Sequence, residues 1–522
     1  MMAPWPRRCN EPGRAVAHPW DGASQAWDAA QRVENERISR YCALDCFGYG
    51  PPANQEDSMT ARSPIAIGLG LCAALASNPA HAGKPSKGTK AGAKATGTTT
   101  PRPDIKHWTL PNGLEALFLA DRRAPVVTVQ VYYHTGSKDE KPGLRGIAHM
   151  FEHMMFKGSK NLRAEDHARY LDRVGGTVNA FTMEDITGYH DTLPREQLGF
   201  AMQLESERMR NLLLTQGTVS SEREVVKEEK RLRIDSNPIG KTLERFRQVT
   251  FTKHPYSWTP AGFLEDLDRV TPKDCQDFYD TYYVPNNATL IVVGDVSEDD
   301  VRKLADQHFG VIPRGKDVPR VTVEEPKQTA MREETLRMEA QIPVLIGGYH
   351  MPPAASPDTA ALEVLQMVLS GGESSRMHQR LVRKEKLVLA AGGFAEAMEH
   401  PGLFLIFAAH LPGKDQARIK ATLLEEIERV RKEDLTAKEL EKARNQLTMQ
   451  YVSKLASADG IAMALGTAQY IEGGWQRFPD AQDRYLKVTA ADVKRVAQQY
   501  LDKSNLTLVT LEPGAPAKAG GK

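Results

Sequence analysis

The chain has 522 residues, of which 41% are hydrophobic and 26% charged, and its 68 lysines and arginines almost cancel its 67 aspartates and glutamates. This is an ordinary globular composition, long enough for two or more cored domains, and it offers no electrostatic footprint for nucleic acid. Of five cysteines, Cys9, Cys42, Cys46 and Cys72 lie before residue 80 and Cys275 stands alone, which excludes a disulfide framework and makes Cys275 a buried small hydrophobe.

Residues 1–58 are rich in Pro, Arg, Trp and Gly and show no sustained period. Met59 then opens a short basic stretch with Arg62, followed by an apolar run over 65–76 and a small-x-small end at Ala82. That order is a secretory signal peptide over 59–82, and its apolar run is too short for a transmembrane anchor. Met59 is therefore the expected start, 1–58 a non-native extension, and the mature chain periplasmic or secreted after cleavage behind Ala82. Residues 83–104 have the Lys, Gly, Thr and Pro content of a flexible linker.

The folded texture begins at Ile105. Two strands flank an Asn112-Gly113 turn, and a β-branched run over 126–133 gives a third. Next comes His149-Met-Phe-Glu152-His153, closed by Lys157 and Gly158 as helix stop signals. On a helix, two histidines four apart share a face, where they can share zinc, and the intervening carboxylate can reach a water at the same metal. The order H-x-x-E-H is the inverzincin pattern and predicts a zinc hydrolase.

A helix over 164–174, a strand over 177–182, a strand over 186–193 and a helix over 197–214 follow. Ser221-Glu-Arg-Glu224 has the form of a capping box, so a helix is expected from there to about Asp235, before Asn237-Pro238. On a wheel of this segment Val225, Val226, Glu229 and Leu232 fall in one apolar sector, with Glu222 two turns earlier. A carboxylate on an apolar face is costly unless paired or bound to metal. Glu229 is the expected third ligand and Glu222 a partner that orients a histidine. The competing reading pairs these carboxylates with Arg223, Lys227 or Arg231.

The segment from Val270, a Thr-capped helix followed by Asn287 and a hydrophobic strand, recurs without a gap from Val488 to a strand after Asn505. Two such endings predict two homologous domains, 105–312 and 335–513, joined by a charged, Pro-containing linker over 313–334 and followed by a tail over 514–522. Only the first carries H-x-x-E-H. His107, His134, His167, His190 and His254 lack partners at ligand spacing and read as structural.

With these residues in place the sequence resembles the pitrilysin-type inverzincin metallopeptidases, in particular the mitochondrial-processing-peptidase branch and its bacterial half-length zinc-bearing subunits. His149, Glu152, His153, Met-Met-Phe-Lys157-Gly158, the segment Asn179-Ala180-Phe181-Thr182 with Glu184, and the pair Glu222 and Glu229 carry the likeness. The resemblance implies an α+β fold of two domains, each an antiparallel sheet packed against helices, together forming half of a clamshell chamber. It also implies one Zn2+ per chain on His149, His153 and Glu229, with Glu152 as general base and Glu222 behind the ligands. Asn179, Ala180 and Phe181 would form an edge strand that pairs with an unfolded peptide substrate by β-augmentation. The family's partner half bears an Arg/Tyr pair for the substrate carbonyl; here Arg383 is present, but the tyrosine position is Ala390. The expected partner is thus a homologous half-length subunit that lacks zinc and carries that pair. A non-catalytic peptide-binding or assembly subunit that retains the zinc site is the alternative.

Overall fold

The computed structural model describes residues 102–514, all within the compact unit Met59–Lys522. The expected extension 1–58 and signal peptide 59–82, with most of the linker 83–104 and of the tail 514–522, lie outside the described residues.

The first sheet contains β1 (Lys106–Thr109), β2 (Glu115–Ala120), β3 (Val126–Tyr133), β4 (Thr177–Thr182), β5 (Thr187–Pro194) and β6 (Ala288–Gly294), in the order β1-β2-β6-β3-β5-β4. The second contains β7 (Arg332–Met338), β8 (Val344–His350), β9 (Ala390–Glu396), β10 (Leu403–Ala409) and β11 (Leu506–Pro513), in the order β7-β11-β8-β10-β9. Both are antiparallel except for one parallel pair each, β2 with β6 and β7 with β11. Six helices build the site or join the two halves: α1 (Ile147–Met154), α2 (Gln216–Lys230), α3 (Pro238–Thr250), α4 (Pro272–Tyr282), α5 (Ala458–Tyr470) and α6 (Ala490–Tyr500). The mixed α and β architecture with two mainly antiparallel sheets is the expected fold class.

The internal repeat is visible atom by atom. Thr271 and Thr489 cap α4 and α6 through the backbone N–H groups of Asp274 and Asp492, whose carboxylates accept in return. Asn287 and Asn505 then turn each chain back by donating to the carbonyls of Tyr282 and Tyr500, at 2.8 Å in both cases. The same two amides donate to the carbonyls of His134 and His350, each at the end of the neighbouring strand. Side-chain caps and Asx contacts of this kind are sequence-local, which is why the repeat is legible in the sequence.

The central strands are apolar on both faces, so each sheet needs two covers. In β6, Leu290 and Val292 pack with the core around α1, whereas Ile291 and Val293 face the opposite side. That second face is covered by α5 of the other half, through Ile461, Ala462 and Leu465 against Tyr132, Ile291 and Val293. Reciprocally, Phe246 of α3, with Phe251 and Tyr256, packs on Val344, Ile346, Leu405 and Val509 of the second sheet. Each half therefore lends the other a helix. The first sheet lies inside 105–312, whereas β7 of the second begins at Arg332, within the expected linker 313–334, and the packing crosses both divisions.

Polar ties reinforce the crossing. Asp459, at the start of α5, accepts from Gln130 at 2.8 Å and meets His190 at 3.0 Å. The N–H groups of Glu399 and His400 donate to Asp185 at 3.0 Å and to the Tyr256 hydroxyl at 3.1 Å, and His134 and Lys138 meet Glu399 at 2.8 and 3.0 Å. His107, His134, His167 and His190 meet Glu115, Glu399, Asp191 and Asp459, His254 accepts from the N–H of Tyr256, and Cys275 is buried.

Candidate metal centre

Helix α1 starts where Gly146 adopts φ +100°, a left-handed conformation that favours glycine. A Cβ there would also lie 2.9 Å from Leu267 Cδ2. The buried Glu140 carboxylate reaches the first turn, accepting from Ala148 N at 2.9 Å and from Trp258 Nε1 at 3.0 Å, which satisfies an orphan donor at the positive helix end. Ile147, Ala148, Met150, Phe151 and Met154 are buried, and Phe151 stacks on Tyr279 at 5.5 Å between centroids. The packed face leaves His149 and His153 side by side on the other, their rings 4.9 Å apart and nearly perpendicular.

Helix α2 lies against α1. It begins at Gln216, earlier than the sequence predicts, because Thr215 caps it through Thr218 N and the Ser221-to-Glu224 box falls inside the helix. Its buried side is Val219, Glu222, Val226, Lys227 and Lys230. Val225 and Leu232, expected in one apolar sector with Glu229, are instead 47% and 65% exposed. Glu229 sits on the flank between the buried and open sides. Arg223, Lys227 and Arg231 take other acceptors, among them Glu224, Asp268 and Glu228, so none of the three ties up Glu229.

His149, His153 and Glu229 each direct one ligand atom into a common space, these atoms lying within 4.8 Å of one another. His149 Nε2 is 3.8 Å from Glu229 Oε1, and His153 Nε2 is 3.4 Å from Oε2. Both distances exceed a good hydrogen bond, but they approach the ligand-to-ligand edge of about 3.3 Å in a tetrahedron with bonds of about 2.0–2.1 Å. Two imidazoles and a carboxylate suit zinc, and the residues present fit it. Glu222 lies behind His153, with Oε2 3.8 Å from Nδ1, and Lys157 Nζ is 3.5 Å from its other oxygen.

Electrostatics favour positive charge at this point. Burial works against a charged His153, yet the Glu222 and Glu229 carboxylates beside it push its pKa up to about 9. Burial would raise Glu229, but His153, His149 and Arg233 hold it down at about 2. Burial and the adjacent His153 lower His149.

Glu152 is among the buried residues of α1, at 7% exposure. Its Oε2 accepts from Thr182 Oγ1 at 2.6 Å. Thr182 ends β4, one of the two edge strands of the first sheet, so one strand carries both Asn179-Ala180-Phe181 and the hydroxyl that orients Glu152. Along β4, Ala180 packs towards the α1 core while Phe181 lies on the opposite face against Tyr132. The N–H of Ala180 donates to Oδ1 of Asn179 at 2.9 Å. Arg383 is not brought to this group: it sits in the π-helical segment His378–Lys384, 59% exposed and paired with Glu373 at 2.6 Å.

Sequence reasoning did not single out Thr182, Lys157, Arg233 or Glu140 as parts of the site. Lys157 and Thr182 lie in the segments that carry the family likeness and Arg233 stands four residues after Glu229, but the role of each depends on which element approaches it. A second group, His167, Asp191 and Glu205, has metal-like composition. Arg208 fills it, contacting Glu205 and lying 3.0 Å from His167 Nε2 and 3.6 Å from Asp191, so the cation there is a guanidinium.

Known proteins share this fold. Residues 116–257 match the family model described as insulinase (peptidase family M16), and residues 269–447 match the one described as peptidase M16 inactive domain. A protein called zinc protease PqqE from Helicobacter pylori is 33% identical over 78% of this chain and 92% of its own length. The crystal structure of a protease from Helicobacter pylori superposes with a TM-score of 0.76 at 32% identity, covering 79% of this chain and 100% of that one. The periplasmic protease PqqL from Escherichia coli gives a TM-score of 0.66 at 20% identity, over 80% of this chain but 49% of that one.

Proposed function

The chain belongs to the M16 peptidase family, and from that premise we propose that it is a zinc-dependent metalloendopeptidase acting on unfolded peptides. The single observation that carries the reading is the convergence of His149, His153 and Glu229 beside an oriented Glu152. Zinc on those three side chains would polarise the scissile carbonyl and make a water acidic enough to attack it. Glu152 accepts the proton that this water gives up and returns it to the departing amine. The hydroxyl of Thr182 holds one oxygen of Glu152, leaving the other for the proton. The edge of β4 aligns the substrate backbone by strand addition, reading main chain more than side chains. An oriented base argues against a subunit that only binds or holds peptides, which has no use for one.

The chain works as a zinc-bearing half of a two-subunit chamber. The separation of Arg383 from the centre and the alanine at position 390 support this, as does the match to about half of the longer PqqL. Its partner is a homologous half-length subunit bearing the Arg/Tyr pair. No described helix is long and apolar enough to cross a membrane, and the signal at 59–82 sends the chain to the periplasm or beyond.

The test uses the chain isolated from its host with its companion. Glu152→Gln should retain one zinc and abolish cleavage of an unfolded peptide; residual hydrolysis at the original rate would refute the role of Glu152. Full activity of the isolated chain without its companion would refute the two-subunit arrangement, and an exported N-terminus before Gly83 would refute the processing site.

A further inference from the structure

Glu229 has one neighbour that the metal-site reading does not require. Arg233, one helical turn on and inside the π-helical segment Arg231–Asp235, places Nη1 2.5 Å from Glu229 Oε1. The two oxygens of Glu229 are thereby distinguished. Oε1 is held by the guanidinium and stands 3.8 Å from His149, while Oε2 is 3.4 Å from His153. The Arg233 side chain is 35% exposed, so it lies at the mouth of the centre rather than in the packing.

A catalytic zinc site requires three protein ligands and an open fourth position. A glutamate is the one ligand of this set able to crowd that position, by swinging to bind through both oxygens and raising the coordination number from four to five. An arginine that grips one oxygen in a charge-assisted contact opposes that swing. We infer that Arg233 is a positioning residue that keeps Glu229 a one-oxygen ligand through Oε2, so that the fourth position stays open. This rests on the zinc reading above and adds to it the device that keeps the site catalytic.

The same arrangement explains the choice of arginine. A lysine could supply charge at this point, but a planar guanidinium also fixes the direction of the carboxylate. Arg233→Lys should therefore keep part of the effect and Arg233→Met none.

The experiment compares the mature wild-type chain, with its companion, against Arg233→Met, Arg233→Lys and Leu232→Ala. Cobalt(II) replaces zinc, and visible absorption reports coordination number, strong bands for four-coordinate and weaker ones for five-coordinate metal. Kinetics are read on one unfolded fluorogenic peptide with the zinc form. Arg233→Met should still bind one equivalent of metal, show the weaker five-coordinate spectrum, and lose about ten- to a hundredfold in kcat with little change in KM. Arg233→Lys should recover part of both, and Leu232→Ala should match wild type. A wild-type spectrum and kcat in Arg233→Met would overturn the inference while leaving the zinc reading intact. A change in KM alone would also overturn it, since Arg233 would then be a substrate contact. A wild-type chain that binds no cobalt would overturn both.

Discussion

Replacing Thr182 by valine removes one hydroxyl, keeps the β-branched shape that suits β4, and leaves Glu152 chemically intact. In the native protein Glu152 and Thr182 are each 7% exposed, and their contact is 2.6 Å long. A hydrogen bond to a charged group in such surroundings is worth roughly 1.5–3 kcal/mol. If that orientation is lost in the transition state, each 1.36 kcal/mol costs a factor of ten, and kcat/KM should fall by about 10- to 150-fold. A buried carboxylate oxygen without its donor should also lower stability by about 1–3 kcal/mol. The assay is kcat/KM on an unfolded peptide, with zinc content and thermal unfolding measured in parallel. Zinc content should not change, because Thr182 contacts none of His149, His153 and Glu229. Thr182→Ser retains the hydroxyl and should restore most of the activity. Wild-type kcat/KM in Thr182→Val would refute the reasoning, and so would an equal loss in both variants.

Two further predictions concern the scaffold. A Cβ on Gly466 of α5 would fall on the Tyr132 ring, and one on Gly348 of β8 would lie 2.6 Å from Phe246 Cζ. Gly466→Ala and Gly348→Ala should each destabilise the protein by about 1–3 kcal/mol through overpacking, seen as a lower Tm at unchanged zinc content; an unchanged Tm in either would contradict the exchanged packing at that face. Around Arg208, burial raises Asp191 to about 6 and Glu205 to about 7 despite the guanidinium, both above their unfolded values near 3.8 and 4.5. Acids shifted upwards stabilise the fold below their unfolded pKa values, and that contribution is lost as pH rises through 6 to 7. Between about pH 5 and about pH 8 the Tm of wild type should therefore fall relative to that of Glu205→Gln, whereas parallel Tm curves would exclude the linkage.

The sequence carried the local part of this structure well. The H-x-x-E-H spacing, the Thr caps and the Asn turns are all set within a few residues, and each appears where the spacing predicts. Glu229 was legible for a partly different reason. The wheel set it among Val225, Val226 and Leu232 as a core face with Glu222 on the same sector; Val226 and Glu222 are buried, but Val225 and Leu232 are exposed and the covered side holds the lysine pair Lys227 and Lys230. Lys230 is accepted there because Glu244 meets it at 2.6 Å. A pattern that weighs residues by hydropathy cannot see a buried ion pair as part of a core. Thr182 was legible as part of a family motif but not as the partner of Glu152, and Glu140 not at all, since a strand threonine and a loop glutamate acquire these roles only from the helix that approaches them.

The helix exchange was half legible, and it bears on the site. A two-faced apolar run such as β6 announces that both sides of the sheet are covered, but nothing local says by which helix. The answer links the second half to the chemistry. Helix α2, which carries Glu222 and Glu229, runs through the π-helical segment Arg231–Asp235 into α3, and Phe246 of α3 is buried on the second sheet. Lys230 and Glu244 clamp the two helices across that junction. The end of α2 is thus fixed by the half that contains no H-x-x-E-H. That half holds none of His149, His153 and Glu229, yet it sets where Glu229 and Arg233 stand relative to the two histidines. Val219 and Val226 of α2 pack with α1 in the core of the first half, and the seating of α3 on the second sheet anchors the far end of α2, beside Glu229 and Arg233.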